Sequence, residues 1–348
     1  MSADLPDLAL RTLGGAVIAA NDEFFADKEN LIKPDAPVFV PQTFTAKGQV
    51  YDGWETRRRR EPGHDGGDHD WALIRLGAPG IPRAVVVDTA HFTGNYPPYA
   101  SVEATAVDGY PSPGELHEAD WQQLVPRSPL RGDTRHEFAV PDAPWCTHVR
   151  LSIYPDGGVA RIKVHGEPLP DPRELAGLPL DLAATRNGGR AVACSDSFFS
   201  RPDNMLQPGE SRFMGDGWET ARRRDDGNDW AIVALTAQAV PTVLELVTTH
   251  YKGNSPGHAS LSGIDTTGGA ELDDPDAWFP LQRRTRLQPD TTHRFRLAAS
   301  EPVTHVRLDI HPDGGMGRLR LYGELTPDGR RDLTLRWLNA LPPAHAAR

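Results

Sequence analysis

The sequence predicts an all-β protein built as two tandem, homologous β-sandwich or jelly-roll domains, and three observations carry that reading. First, the segments GGAVIAANDEFF, YDGWETRRRR, DWALIRL, AHFTGN, HVRLSIYPDGG and RIKVHGE return in the same order as GGRAVACSDSFF, GDGWETARRR, DWAIVAL, THYKGN, HVRLDIHPDGG and RLRLYGE. The pairs Asp22/Asp196, Asp52/Asp216, Asp70/Asp229 and Asp156/Asp313 drift apart only by loop-sized gaps, so one domain has been duplicated. Only two long copies exist, so each unit can bury its own core, unlike a solenoid repeat that needs its neighbours. Second, the shared segments alternate in polarity with the period of a strand. Third, 33 Gly and 32 Pro punctuate the chain, and helical periodicity is confined to short stretches such as 23–32 and 331–341.

Taken in order, the first copy spans 14–167. DGWE at 52–55 makes a turn in which Trp54 fills core space, and 71–76 and 84–87 are apolar enough to be buried strands. From His148 to Tyr154, Val149, Leu151 and Ile153 share one face and Arg150 and Ser152 the other; Ile162 and Val164 alternate with Arg161, Lys163 and His165. Between them PDGG at 155–158 combines proline's preset φ with glycine's tolerance of positive φ, which predicts a hairpin turn. Residues 168–187, opening EPLPDPRE from Glu167, are expected to link the domains. The second copy follows at 188–325 with Trp218 in the place of Trp54, and the tail at 326–348 carries the second helical stretch.

Composition narrows the function. At 348 residues there is room for two ordinary domains, and a formal charge of -11 excludes a broad nucleic-acid or anionic-membrane surface. The arginine runs are therefore local devices. Cys146 and Cys194 do not correspond between copies and sit in no motif, so neither a disulfide framework nor a zinc site is expected. No secretory leader or spanning segment is legible, which predicts a soluble, cytoplasmic protein.

Three residue strings, NDEFF with SDSFF, the doubled DGWET followed by arginines, and DTAHFTGNYPP, resemble allantoicase, the ureide-degrading hydrolase of purine catabolism. The resemblance runs over about 14–324 and includes the two-repeat layout. It implies jelly rolls similar to galactose-binding modules, assembly into homo-oligomers, and hydrolysis of allantoate to ureidoglycolate and urea at a linear amidine carbon–nitrogen bond.

The residues suit that chemistry on separate grounds. Allantoate carries a carboxylate and two ureido groups on one carbon, so urea must leave and water take its place. An acid must protonate the departing nitrogen, a base must activate water, and an arginine fork suits the carboxylate. His91 and Glu55 are the expected proton-transfer pair, with Asp52 orienting one of them; Arg58 would take the carboxylate, Asn95 a urea carbonyl, and Arg150 is a further substrate-binding candidate. Their second-copy equivalents are His250, Glu219, Asp216, Arg222, Asn254 and Arg307. Each also has a structural reading: a run of four arginines is a solvated face of which an extended chain aims only one or two residues into a cleft, favouring Arg58 or Arg59, and His91 can be a satisfied loop residue beside Gly94. Arg150, Arg161, Arg307 and Arg318 have local carboxylate pairing as their default, with Glu167 and Glu324 as candidate partners.

The insertion EPGHDGGDHD belongs to the first copy alone and holds His64, Asp65, Asp68, His69 and Asp70 at metal-ligand spacing. Its glycines and lack of supporting groups make it a poor cage, so no metal and no other cofactor is expected, while Asp70, repeated as Asp229, serves the fold or the site. Asp88 before His91 and Lys252 after His250 distinguish the copies and favour the first as the working site. Two other classes stay open at this level: a non-enzymatic tandem ligand-binding module, and an amidohydrolase of another ureide or guanidino compound.

Overall fold

The computed structural model describes residues 5–60, 68–175, 177, 180–298 and 301–346. It divides into two compact units, Met1–Leu169 with Leu338–Arg348, and Pro170–Trp337.

The organiser of the first unit is one 19-residue strand, Asp70–Asp88, which covers both stretches read as separate buried strands. Its first half pairs antiparallel with Ala16–Ala20 on one side and Cys146–Tyr154 on the other; the sheet continues through Tyr99–Thr105 to Gln122–Pro129. Its second half pairs with Arg135–Ala139 and Arg161–Pro168. The partner changes across GAPGIP at 77–82, where the register with Cys146–Tyr154 slips between Arg75 and Gly80. Glycines and prolines let a strand bend there and enter a second layer. Ala72 and Ile74 of the first half, Val85 and Val87 of the second, and Leu151, Val102 and Ile162 from their partners form one buried cluster, which is the interior of a sandwich.

The second unit repeats this pattern. Asp229–Val247 pairs through its first half with Arg190–Cys194 and Val303–His311, and through its second with Thr292–Arg296 and Arg318–Leu325. Trp54 and Trp218 are fully buried, lie in matching two-residue strands, and donate Nε1–H to the carbonyls of Asp22 and Asp196. A buried indole needs such a partner.

Four local expectations meet differences. PDGG is not a hairpin: Cys146–Tyr154 and Arg161–Pro168 pair with opposite halves of the bent strand, so the turn carries the chain between layers. Gly158–Val159, at the end of the turn, pairs with Trp54–Glu55. A helix over 23–32 shrinks to a 3-10 turn, Lys28–Ile32, because the amides of Phe25 and Ala26 are spent on the carbonyl of Glu55. The 168–187 segment contains the short strand Leu180–Asp181, paired with Tyr322 and Gly323, and buries Leu182, Ala183 and Ala184. The C-terminal helix, Pro327–Ala340, begins earlier than the periodicity suggested because Thr326 Oγ1 accepts the amide of Gly329 and Pro327 occupies the first turn.

Glycine is obligatory at 157 and 158. Gly157 has φ 141°, and a Cβ on Gly158 would lie 2.1 Å from the Phe92 ring. Gly158→Ala is therefore expected to destabilise the chain by about 3 kcal/mol through overpacking, read as a drop in the denaturant midpoint at unchanged slope.

Candidate active site

A cleft of about 960 Å³ opens in the first unit, lined by Gln49, Tyr51, Glu55, Arg58, Arg59, Arg60, Thr93, Asn95, Tyr96 and Asp156 among others. Three segments form most of it, the strand Trp54–Glu55 with the arginines after it, the loop after the bent strand, and the PDGG turn, and Phe25 with residues 48–51 completes the lining. Hydrogen bonds knit them. Gly158 N donates to Asn95 O at 2.7 Å, Thr56 N to Gly157 O, and Arg59 N to Asp156 Oδ2 at 2.7 Å. The aspartate of PDGG thus holds the arginine segment in place, as Asp313 holds Arg223 N in the second copy. Its repetition was the signal available in the sequence.

Along the arginine run, alternate side chains are tied to carboxylates. Arg57 binds Asp22, and Arg59 sends Nε and Nη2 to the buried carboxylate of Asp70, which also accepts from Asn21. The alternate pair, Arg58 and Arg60, is exposed in the cleft and makes no hydrogen bond or ion pair among the described residues. Of the two candidates favoured by sequence, Arg58 faces the cleft with an uncommitted charge and Arg59 is anchored.

Glu55 is half-buried and accepts a hydrogen bond from Asn95 Nδ2 at 2.8 Å. Burial pushes its carboxyl above the usual glutamate range, opposed by the Asn95 amide and by the charge of Arg58. A carboxyl that keeps its proton to higher pH and faces an open cleft is equipped to donate it.

His91 lies outside the cleft wall. Its ring Nε2 is 3.1 Å from the carbonyl of Pro37, the ring stacks on Phe39, and its amide donates to Asp133 Oδ1 at 2.7 Å. Its φ is 69°, a strained conformation for a histidine, and His250 repeats it at 74° with Asp290 on its amide and Ser211 O on Nε2. Both histidines thus clasp a preceding loop. Beside the first clasp, Phe39, Tyr51 and Phe92 form a stacked column, with Tyr51 in the cleft wall. Asp88, which distinguishes the first copy, accepts the amide of Ala90.

Asp52 binds Lys33 Nζ, Arg161 Nη2 and the amide of Val38. Burial works to raise its pKa, but those hydrogen bonds outweigh it and hold the carboxyl below its ordinary value. Asp216 is tied likewise to Arg212 and Arg318. Arg150 binds Glu103 and lies over Trp121, Arg307 binds Asp309 and lies over Trp230, and neither lines the cleft. Glu167 pairs with Arg83 rather than with a repeated arginine.

In the second copy Asn254 Nδ2 donates to Glu219 Oε1 at 2.6 Å, so the amide–carboxyl pair is duplicated, and Arg222 is exposed. The surroundings differ. Met214 lies against Asn254, Tyr251 in the place of Phe92 donates its hydroxyl to Met214 O, and Lys252 pairs with Asp290. In the insertion His69 binds Asp68 and packs on Tyr154, whereas His64 and Asp65 lie outside the described residues. Among the described residues no three His, Cys, Asp or Glu side chains converge as metal ligands.

Known proteins share this design. The family model described as the allantoicase repeat matches residues 6–169 and again 180–326. A probable allantoicase of Nocardia farcinica is 54% identical over 325 residues, covering 92% of this chain and 95% of that protein. Another from Streptomyces avermitilis is 50% identical over 349 residues, covering 97% and 91%. The crystal structure of allantoicase from Saccharomyces cerevisiae superposes with a TM-score of 0.76 at 33% identity, over 92% of this chain and 93% of that one. These matches, over both repeats and nearly the whole length, set aside a non-enzymatic tandem binding module: the chain belongs to the allantoicase family.

Proposed function

We propose that this chain hydrolyses allantoate to ureidoglycolate and urea, and that the Glu55–Asn95 pair beside Arg58 is where it does so. The observation that carries the assignment is a carboxyl with raised pKa hydrogen-bonded to an amide, in a cleft that also presents uncommitted guanidinium groups.

Arg58 takes the substrate carboxylate in a two-pronged ion pair. That contact offsets the charge which had been lowering Glu55's pKa, so substrate binding itself drives Glu55 further toward its protonated form. Glu55 then gives its proton to the nitrogen of one ureido group, and the carbon–nitrogen bond breaks as the lone pair of the other ureido nitrogen fills in at the carbon. Urea departs. Water adds to that carbon and gives its proton to Glu55, which regains its starting state. One carboxyl thus serves as acid and then as base, while Asn95 Nδ2 fixes its orientation. His91 acts through the loop it clasps, keeping Tyr51 and the cleft wall in place; Asp52 secures the same segment through Arg161. Arg150 and Arg307 support the sheets.

No metal or cofactor enters this scheme. We place the protein in the cytoplasm as a homo-oligomer; no helix among the described residues is long and apolar enough to cross a membrane.

Urea release from allantoate, with allantoin and ureidoglycolate as controls, tests the function. Urea from allantoate alone is expected, and none from allantoate would refute it. His91→Ala is expected to raise KM by up to about tenfold, the worth of one hydrogen bond, with the pH profile of kcat unchanged; a collapse of kcat at unchanged KM would return His91 to proton transfer.

A further inference from the structure

Arg60 has no role in the scheme above, yet it shares the cleft with Glu55 and Arg58 and, like Arg58, makes no hydrogen bond or ion pair among the described residues. The two arginines are two residues apart and both line the cleft. The intervening Arg59 and the preceding Arg57 are held by Asp70 and Asp22, so the guanidinium groups that the segment leaves for a ligand in the cleft are those of Arg58 and Arg60. A substrate with one carboxylate engages one of them. The charge of Arg58 acts on Glu55, and the reacting carbon carries the carboxylate, which assigns the carboxylate to Arg58.

Allantoate has two chemically identical ureido groups on that carbon, and Glu55 can protonate only the one that lies against it. Something must hold the other away. We infer that Arg60 is a substrate-binding residue that grips the carbonyl of the ureido group retained in the product, and so determines which group leaves. This rests on the allantoate reading. A guanidinium suits a ureido carbonyl because two N–H groups of its planar fork converge on the two lone pairs of that one oxygen in a preset geometry, which a lysine ammonium on a flexible stem lacks.

The test separates the carboxylate from the retained arm. Ureidoglycolate has a carboxylate and one ureido group; glycolate has the carboxylate and no ureido group. Titration calorimetry of both compounds with the wild-type chain, Arg60→Gln and Arg58→Gln reads binding without relying on turnover. Arg60→Gln is expected to weaken ureidoglycolate by about tenfold or more, the worth of a charged hydrogen bond, to raise the KM for allantoate similarly, and to leave glycolate unchanged. Arg58→Gln should weaken both compounds. Arg60→Lys should recover only part of the ureidoglycolate affinity. Equal weakening of glycolate and ureidoglycolate by Arg60→Gln, or no weakening of either, would overturn the assignment. Absence of urea release by the wild-type chain would instead sink the allantoate reading.

Discussion

Glu55→Gln is expected to lower kcat for allantoate by at least about a hundredfold while leaving KM nearly unchanged. Glutamine keeps the shape and can still face Asn95, but it carries no transferable proton, and positioned proton transfer contributes typically 10²- to 10⁴-fold. Stability should move the opposite way. Because burial raises Glu55's pKa, the folded chain retains a proton that the unfolded chain releases. The contribution of Glu55 to stability is therefore fully present below its unfolded pKa and is lost as pH rises through the folded value. Glutamine has no such dependence, so the variant should melt above the wild type at neutral pH and lose that advantage as pH falls. Parallel thermal scans across pH check this; a variant less stable at neutral pH would show that Glu55 belongs to the structural framework.

A stability effect as large as that of Gly158→Ala is expected at Asp52. Its partner Arg161 has a side chain only 2% exposed, and Asp52 Oδ2 meets it at 2.7 Å. Asp52→Ala leaves a buried guanidinium with carbonyl partners but no countercharge, which costs about 3 kcal/mol and lowers Tm by roughly 10 °C for a unit of this size. Asp52's depressed pKa sets the pH dependence: the stabilisation is present above its unfolded pKa and lost as pH falls through the folded value. The gap between variant and wild type should therefore close in acid. Well below its Tm, Asp52→Asn should keep kcat close to wild type; a hundredfold loss with the fold intact would place Asp52 in the proton-transfer machinery.

The duplication and the strand periodicity carried most of the fold, because both are local or self-referential: Trp54 and Trp218, or Gly157 and Gly314, report equivalent positions whatever lies between them. The bend was harder to read. Segments 71–76 and 84–87 look like two strands since GAPGIP reads as a break, and only the pairing of each half with a different partner shows that the backbone continues. The PDGG turn was misread for the same reason. At the site, residue types were legible and directions were not. The choice of Arg58 and Arg60 over Arg57 and Arg59 depends on Asp22, 35 residues from Arg57, and on Asp70, 11 residues from Arg59. The histidine ring is aimed by a positive φ and by Asp133, neither of which a single sequence displays as such, although the recurrence of Asp133 and Thr134 as Asp290 and Thr291 was a visible hint.

We propose that turnover occurs at the first-copy carboxyl, although the second copy keeps an equivalent pair in Glu219 and Asn254. Glu55 opens on the cleft that Arg58 and Arg60 line, whereas Met214 crowds Asn254 in the second copy. Urea release from allantoate by Glu55→Gln and Glu219→Gln, measured side by side at equal folded concentration, tests it most directly. Loss of at least about 99% of kcat in the first with most of the rate kept in the second is the predicted result; full activity of Glu55→Gln and collapse in Glu219→Gln would contradict it.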